Sequence, residues 1–210
     1  MFKQHPFLRA LFIFLRSWII AIIALLILYF AWVREWQMTW GATKQEVNRH
    51  MAGDELLEDP ALNATRAVEI KASPEQVWPW LVQMGYKRAG LYSFGGLDNG
   101  GVPSAERIIP EYQNLKVGDF ILPMLKVVEM EANKSMLWVF QERAGPWQNA
   151  TWSWGLYETD RGHTRLVSRL RQHYTLNSFP ETINWVIVDP MEIFMMRTTL
   201  LGIKRRAESN

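Results

Sequence analysis

The spacing of apolar and polar residues first predicts a membrane helix near the N-terminus. Residues 17–33 carry no charged side chain, and as a helix they span about 26 Å against a hydrocarbon layer of about 30 Å. Arg16 can extend its charged end to the interface, which lengthens the run back to Ala10. Aromatic residues, which favour membrane interfaces, flank the run at Trp18, Tyr29, Trp32 and Trp36. We therefore expect residues 1–36 to form a short tail and one transmembrane helix.

Two other interpretations of this run are weaker. A cleaved signal peptide needs small residues at its cleavage site, and residues 29–33 (YFAWV) do not offer that pattern. A buried core helix would need a larger domain around it. The Lys/Arg count on the two sides is a tie, with Lys3, Arg9 and Arg16 before the run and Arg34, Lys44 and Arg49 after it. Because a short basic tail is hard to translocate, we expect a cytoplasmic N-terminus, with the domain outside the cell membrane.

Beyond a juxtamembrane connector at residues 37–64, the pattern is that of a mixed α+β domain over residues 65–208. Thr65–Ala72 alternates as a strand, and Ser73-Pro74-Glu75-Gln76 has the features of a capped helix start. Val77, Leu81 and Met84 share one face of that helix. A glycine-rich loop follows over residues 85–118, with one helical turn predicted at Ser104–Ile108.

Closely spaced strand patterns then predict an antiparallel sheet. They cover Phe120–Met130 (interrupted by Pro123), Ser135–Glu142, Asn149–Glu158 and Thr164–Gln172. A long C-terminal helix begins near Asp189, with apolar residues at helical spacing at Ile193, Met196, Leu200 and Ile203. The element order predicts a curved antiparallel sheet wrapped around that helix.

Composition narrows the possible functions. The chain is 49% hydrophobic and contains 11 Trp, enough large side chains to line a cavity as well as fill a core. The formal net charge is +2, three basic residues precede the apolar run, and the nearly neutral domain does not indicate nucleic-acid binding. There is no cysteine, the four histidines lack metal-ligand spacing, and no serine lies in a G-x-S-x-G context. We expect no metal, no cofactor and no recognisable catalytic residues.

Several segments carry a family resemblance. They are GATKQEV (41–47), GDEL (53–56), TRAVEIKASPEQVWPWLVQMG (65–85), AGLYSFGGLDN (89–99), PSAERIIPEYQNLKVGD (103–119), TRLVSRLR (164–171) and LLGIKRRAE (200–208). With this element order, the chain resembles the START-like helix-grip superfamily (SRPBCC; polyketide cyclase/dehydrase and lipid-transport proteins), in its bacterial subgroup with an N-terminal membrane helix. The resemblance implies an apolar cavity between the sheet and the C-terminal helix. Members bind lipids, sterols or polyketides, and some catalyse cyclisation or dehydration.

The resemblance and the strand alternation together select candidate residues. Those for ligand binding are Trp80, Met84, Tyr92, Trp138, Phe140, Trp152, Trp154, Leu166, Ser168 and Met195. Those for polar groups at the cavity mouth are Ser93, Asp98 and Asn99. The alternatives are a solid core for the first set and local turn hydrogen bonds for Asp98 and Asn99. A row of arginines at Arg165, Arg169 and Arg171 is expected to pair with carboxylates such as Asp98, Glu111 and Asp119. A buried carboxylate of this kind could serve as an acid or base, and the alternatives are a solvated sheet face or a structural ion pair.

These features favour a membrane-anchored binding protein for a lipid or other hydrophobic small molecule, with the bilayer and that molecule as its partners. A cyclase or dehydratase is the alternative from another class, and Asp98, Glu111 and Tyr92 are its candidate acid or base groups. A third hypothesis is a membrane interaction protein that binds no ligand. An all-apolar pocket lining favours binding, an isolated desolvated carboxylate favours chemistry, and the absence of a pocket favours the interaction protein.

Overall fold

A computed structural model describes residues 6–141, 149–173, 178–179, 182 and 189–209. It divides the chain into two compact units, Met1–Gln37 and Met38–Asn210. Helix α1 (Pro6–Leu28) continues through a π-helical turn (Tyr29–Val33) into helix α2 (Arg34–Thr39). The continuous helix Arg9–Thr39 has 31 residues and no burial in its most apolar window. The predicted N-terminal apolar helix is therefore present, and it is long and apolar enough to cross a bilayer.

The second unit is built on one six-stranded antiparallel sheet. Its spatial order is β1-β6-β5-β4-β3-β2. The strands are β1 (Leu62–Ile70), β2 (Phe120–Leu122), β3 (Leu125–Glu131), β4 (Ser135–Phe140), β5 (Ala150–Glu158) and β6 (Thr164–Gln172). The helices described in this unit include α3 (Lys44–Asn48), α4 (Pro74–Val82), α5 (Gly95–Asp98) and the C-terminal helix α6 (Asp189–Glu208). This is an α+β, helix-grip-like fold, as the element order predicted.

Two helices follow the sequence pattern closely. Helix α4 begins where its capping residues predict, and the Ser73 backbone N–H donates to Gln76 Oε1 at 3.0 Å. In the C-terminal helix, the four apolar residues at helical spacing are all buried in the core: Ile193, Met196, Leu200 and Ile203. Their stripe fixes which face of α6 turns toward the sheet.

The loop region departs from the pattern in two places. The run at Phe120–Met130 folds as a hairpin of β2 and β3, because Pro123 has no N–H to donate and the chain turns there. Ser104–Ile108 does not form the predicted helical turn. Single turns lie instead at Gly95–Asp98 and at Pro110–Tyr112, where Pro110 suits the first position of a turn that needs no donor.

The two faces of the sheet are covered by different parts of the chain. The inner face packs against helix α6 in the main core, and its alternating residues include Arg66, Val68, Leu166, Ser168, Trp152, Trp154, Met136 and Trp138. The outer face is covered by residues 41–56. Met51 packs on Ala67 and Val167 there, and the Ser153 hydroxyl donates to the Ala52 carbonyl at 2.8 Å.

Candidate functional site

The inner face carries a cluster of three tryptophans on adjacent strands. Trp138 of β4 is the cross-strand partner of Trp152 of β5, and Trp154 lies two residues further along β5. Their ring centroids are 5.2–5.4 Å apart. Trp138 and Trp154 are fully buried, and Trp152 is partly exposed. We call Trp138, Trp152 and Trp154 the tryptophan cluster.

Two members of the tryptophan cluster have unsatisfied donors. Trp152 Nε1 donates to Ser168 Oγ at 2.8 Å. Within the part of the chain that the structure describes, neither Trp138 Nε1 nor Trp154 Nε1 has an acceptor, although both atoms are buried. A buried indole N–H usually finds a partner, and leaving one unpaired costs about 1–3 kcal/mol. An acceptor beside either of these N–H groups would remove that cost.

A charged pair lies beside the tryptophan cluster. Arg66 of β1 is in register with Ser168, and Ser168 is in register with Trp154. The Arg66 side chain is 1% exposed and forms an ion pair with Glu192, whose side chain is 10% exposed, near the start of α6. A guanidinium in an apolar interior is tolerated only when it is paired and hydrogen-bonded. The inner face therefore holds a positive charge that a carboxylate neutralises.

The structure brings most of the predicted ligand-binding residues together in the main core. Trp80, Met84, Trp138, Trp154 and Leu166 are buried there, with Phe140 and Trp152 packed against it, and Ser168 is buried beside Trp152. Met195 does not join them, because it is 41% exposed while Met196, 3% exposed, faces the core. Neighbouring helical positions diverge by about 100°, so only one of the two methionines can lie in the apolar stripe.

Tyr92 lies in the core but its hydroxyl is committed to structure. The phenol donates to the Trp80 carbonyl at 3.0 Å and accepts from Gln83 Nε2 at 2.9 Å. Burial raises the pKa of the Tyr92 phenol above its ordinary value, against the hydrogen bond from Gln83 and the nearby Arg206 guanidinium. The phenol therefore stays neutral over the physiological pH range. The backbone of Tyr92 has a left-handed φ of 59°.

The predicted mouth residues form a local network in the glycine-rich loop. The Ser93 hydroxyl donates to the Asp98 carboxylate, which also accepts from the Phe94 N–H at 3.1 Å. Asn99 Oδ1 accepts from the Lys87 N–H at 2.8 Å. Asn99 Nδ2 also donates to the Val102 carbonyl at 3.1 Å. The contacts of Asp98 and this last contact of Asn99 are the local turn hydrogen bonds of the alternative prediction, whereas the bond from Lys87 joins two parts of the loop. Ser93 also lines a cleft of about 590 Å³ between this loop and the C-terminal helix.

The partners expected for the arginine row were wrong. Arg165 pairs with Glu46 at 2.8 Å, and Arg169 and Arg171 both pair with Asp54, at 2.6 and 2.8 Å. These carboxylates come from the connector, which folds over the outer face. Burial opposes ionisation of Glu46, but hydrogen bonds from Arg165 and Thr43 outweigh it and leave the pKa of Glu46 below its usual value.

Sequence reasoning missed Arg66 and Glu192. The signal for Arg66 was available, because it occupies the same strand phase as Ala64, Val68 and Ile70, which face inward. An arginine in phase with an apolar strand face points into the core. Glu192 belongs to the helix-start pattern at 189–192, but nothing local marks it as the partner of Arg66, which lies 126 positions away in the chain. In the described ranges, no group of three or more His, Asp or Glu residues could hold a metal ion.

Comparisons with known proteins relate the chain to solved structures alone. No family model and no curated protein matches it. The solution structure of the Aha1 dimer from Colwellia psychrerythraea is 17% identical with a TM-score of 0.42, over 70% of this chain and 96% of that chain. The conserved protein of unknown function EF2215 from Enterococcus faecalis is 16% identical with a TM-score of 0.40, and the match covers 73% of this chain and 75% of that protein. A Thermobifida fusca protein solved by NMR is 12% identical with a TM-score of 0.42, and the match covers 70% of this chain and 93% of that protein. These likenesses say nothing about ligand, activity or partner.

Proposed function

We propose that this chain is a membrane-anchored, START-like (SRPBCC) binding protein that holds a lipid or other hydrophobic small molecule between its sheet and its C-terminal helix. The observation that carries the proposal is the pair of buried, unpaired indole donors at Trp138 and Trp154. A core that served only to hold the fold together would gain stability from apolar side chains at these positions. A bound molecule that supplies acceptors turns the same donors into favourable contacts.

The chemistry of the tryptophan cluster describes the ligand. Its aromatic walls favour an apolar body, whose burial stabilises the complex by about 25 cal/mol per Å² before the costs of ordering. The N–H groups of Trp138 and Trp154 require oxygen acceptors on that body. The ligand is thus an apolar molecule with a carbonyl, ester or similar oxygen group, rather than a pure hydrocarbon.

The position of the cluster in the chain supports loading from a bilayer. Met38, Phe140 and Trp152 pack together against the small core of Leu62, Ala64 and Leu170. Met38 follows Val33, the last residue of the uncharged run, by five positions, or at most about 18 Å of extended chain. The binding domain is therefore joined to the anchor by a short segment, which keeps its local concentration at the bilayer high and favours exchange of an apolar ligand. We propose that the anchor crosses the cell membrane once, with the N-terminus in the cytoplasm.

Native mass spectrometry of the full-length protein, gently extracted from its own membrane, tests the proposal. We expect an apolar molecule near one per chain, identified by lipidomics. Trp154→Phe, which keeps a ring but removes the donor, should weaken binding about tenfold, the effect of one buried hydrogen bond. Trp78→Phe is the matched control, because Trp78 is half-buried on α4 outside the tryptophan cluster. A protein that carries no ligand and takes up none from total lipid extract would refute the proposal.

A further inference from the structure

We infer that the ligand carries a carboxylate, which binds Arg66 in the place that Glu192 occupies in this structure. The inference rests on the proposed function and specifies the ligand's head group. It assigns Arg66 as the residue that recognises the head group, and Glu192 as an internal stand-in for it. The ligand class is a long-chain carboxylic acid or a similar anionic amphiphile.

Arg66 is a charged residue buried on the apolar inner face of the sheet. It faces the inner side of β1 between Ala64 and Val68, and its side chain is 1% exposed. Taking an ion pair out of water costs several kcal/mol per ion, and replacing such a pair by apolar residues is often neutral or stabilising. A guanidinium kept at this position therefore indicates a task beyond packing. Its planar fork matches a carboxylate with two parallel hydrogen bonds.

Polar side chains lie beside Arg66 on the neighbouring strands. Arg66, Ser168 and Trp154 occupy matching register positions on the adjacent strands β1, β6 and β5. Adjacent strands are about 4.8 Å apart, so long side chains at these positions converge on one small volume. The Ser168 hydroxyl already accepts from Trp152. The other polar groups along this strip are the Arg66 guanidinium, which pairs with Glu192, and the Trp154 indole N–H. Both are donors, and they suit a head group made of oxygen acceptors.

The position of Glu192 makes the exchange physically simple. Its side chain is only 10% exposed, yet its neighbours on α6 reach solvent, with Met191 and Phe194 each 60% exposed. A rotamer change can carry the carboxylate of Glu192 from the edge of the core into water. The ligand carboxylate then takes over the guanidinium, and the core keeps one positive and one negative charge throughout. The exchange avoids the cost of leaving Arg66 uncompensated.

The test compares cis-parinaric acid with its methyl ester, two probes with the same chain and different charge. Full-length protein in phosphatidylcholine nanodiscs is titrated, and energy transfer from tryptophan is measured against empty nanodiscs. We expect the acid to bind at least tenfold more tightly than the ester. Glu192→Gln removes the internal competitor and should raise the affinity for the acid about tenfold while leaving that for the ester unchanged. Arg66→Gln should abolish the preference, and Arg165→Gln, on the outer face, should keep it.

Each outcome separates the inference from the proposed function. If both probes bind equally and Glu192→Gln changes nothing, the carboxylate inference is overturned while the binding function stands. If Glu192→Gln lowers the affinity for the acid, the Arg66–Glu192 pair stabilises the folded domain and does not compete with a ligand, and the inference fails. If neither probe binds above empty nanodiscs, the proposed function fails. The wild-type comparison and Glu192→Gln decide the question even if Arg66→Gln does not fold.

Discussion

Arg169→Met tests how firmly the connector is bound to the outer face of the sheet. The Arg169 side chain is 3% exposed and makes five hydrogen bonds. Its Nε atom donates to Thr65 Oγ1 at 2.8 Å, and a terminal nitrogen donates to the Asp54 carboxylate at 2.6 Å. The terminal nitrogens also donate, at 2.8–3.0 Å, to three backbone carbonyls of the connector, which belong to Glu46, Val47 and Arg49. One side chain thus joins β1 and β6 to residues 46–54.

The magnitude follows from what the substitution leaves behind. Removing one partner of a buried pair costs about 3–5 kcal/mol, because the other charge and its acceptors lose their donor. Asp54 keeps Arg171 as a partner at 2.8 Å, which places the expected loss at the lower end, about 3 kcal/mol. At about 2–4 °C per kcal/mol for a unit of this size, the Tm should fall by roughly 10 °C.

Thermal unfolding of the full-length protein in detergent, followed by near-ultraviolet circular dichroism, measures this loss. Limited proteolysis should also cut the connector of Arg169→Met before the rest of the domain. Arg161→Met is the matched control, because Arg161 lies exposed in the turn between β5 and β6 and should change stability by less than about 0.5 kcal/mol. A Tm for Arg169→Met as close to wild type as that of the control would show that the hydrogen-bond reasoning is wrong.

Three further predictions concern packing, pH and topology. Gly202→Ala should lower the Tm by the equivalent of about 1–3 kcal/mol despite the higher helix propensity of alanine, because its Cβ would lie 2.4 Å from the Tyr92 carbonyl oxygen; an unchanged Tm would contradict this close approach. The pKa of Glu46 in the folded protein is below its ordinary value of 4.5, so its pairing with Arg165 stabilises the fold at any pH above 4.5. This stabilisation is lost as the pH falls through the lowered pKa. The Tm of Glu46→Gln should therefore depend less on pH over that acidic range than the Tm of wild type. Since the chain has no cysteine, a membrane-impermeant maleimide on intact cells should label Ser209→Cys and leave Gln4→Cys unlabelled; the opposite pattern would reverse the proposed orientation.

Local periodicity was enough to predict most of the sheet. Strand β6 spans Thr164–Gln172 as expected, and the alternation along β5 placed Trp152 and Trp154 on one face. These predictions hold because side-chain direction in a strand depends only on neighbouring positions. Met195 shows the limit of the same reasoning in a helix. Several adjacent apolar residues allow more than one stripe, and only the packing of α6 on the sheet selects Met196.

Long-range pairing was not predictable in the same way. The arginine row was recognised, but its partners Glu46 and Asp54 lie more than 110 positions away, in a connector whose path over the outer face has no local signature. Arg66 and Glu192 escaped notice for the same reason. A charge in an apolar strand phase indicates that a partner exists, while the identity of that partner depends on how the elements pack.

The two coverings of the sheet explain why unpaired donors occur beside helix α6. On the outer face, Arg169 is satisfied largely by backbone carbonyls, because the irregular connector leaves those acceptors available. On the inner face, helix α6 is one of the covering elements, and its interior carbonyls already accept from N–H groups four residues further on. Helix α6 therefore offers few backbone acceptors to the donors on this face, such as the indole N–H groups of Trp138 and Trp154. Glu192 of that helix pairs with Arg66, and we propose that a ligand supplies the acceptors for the two indoles.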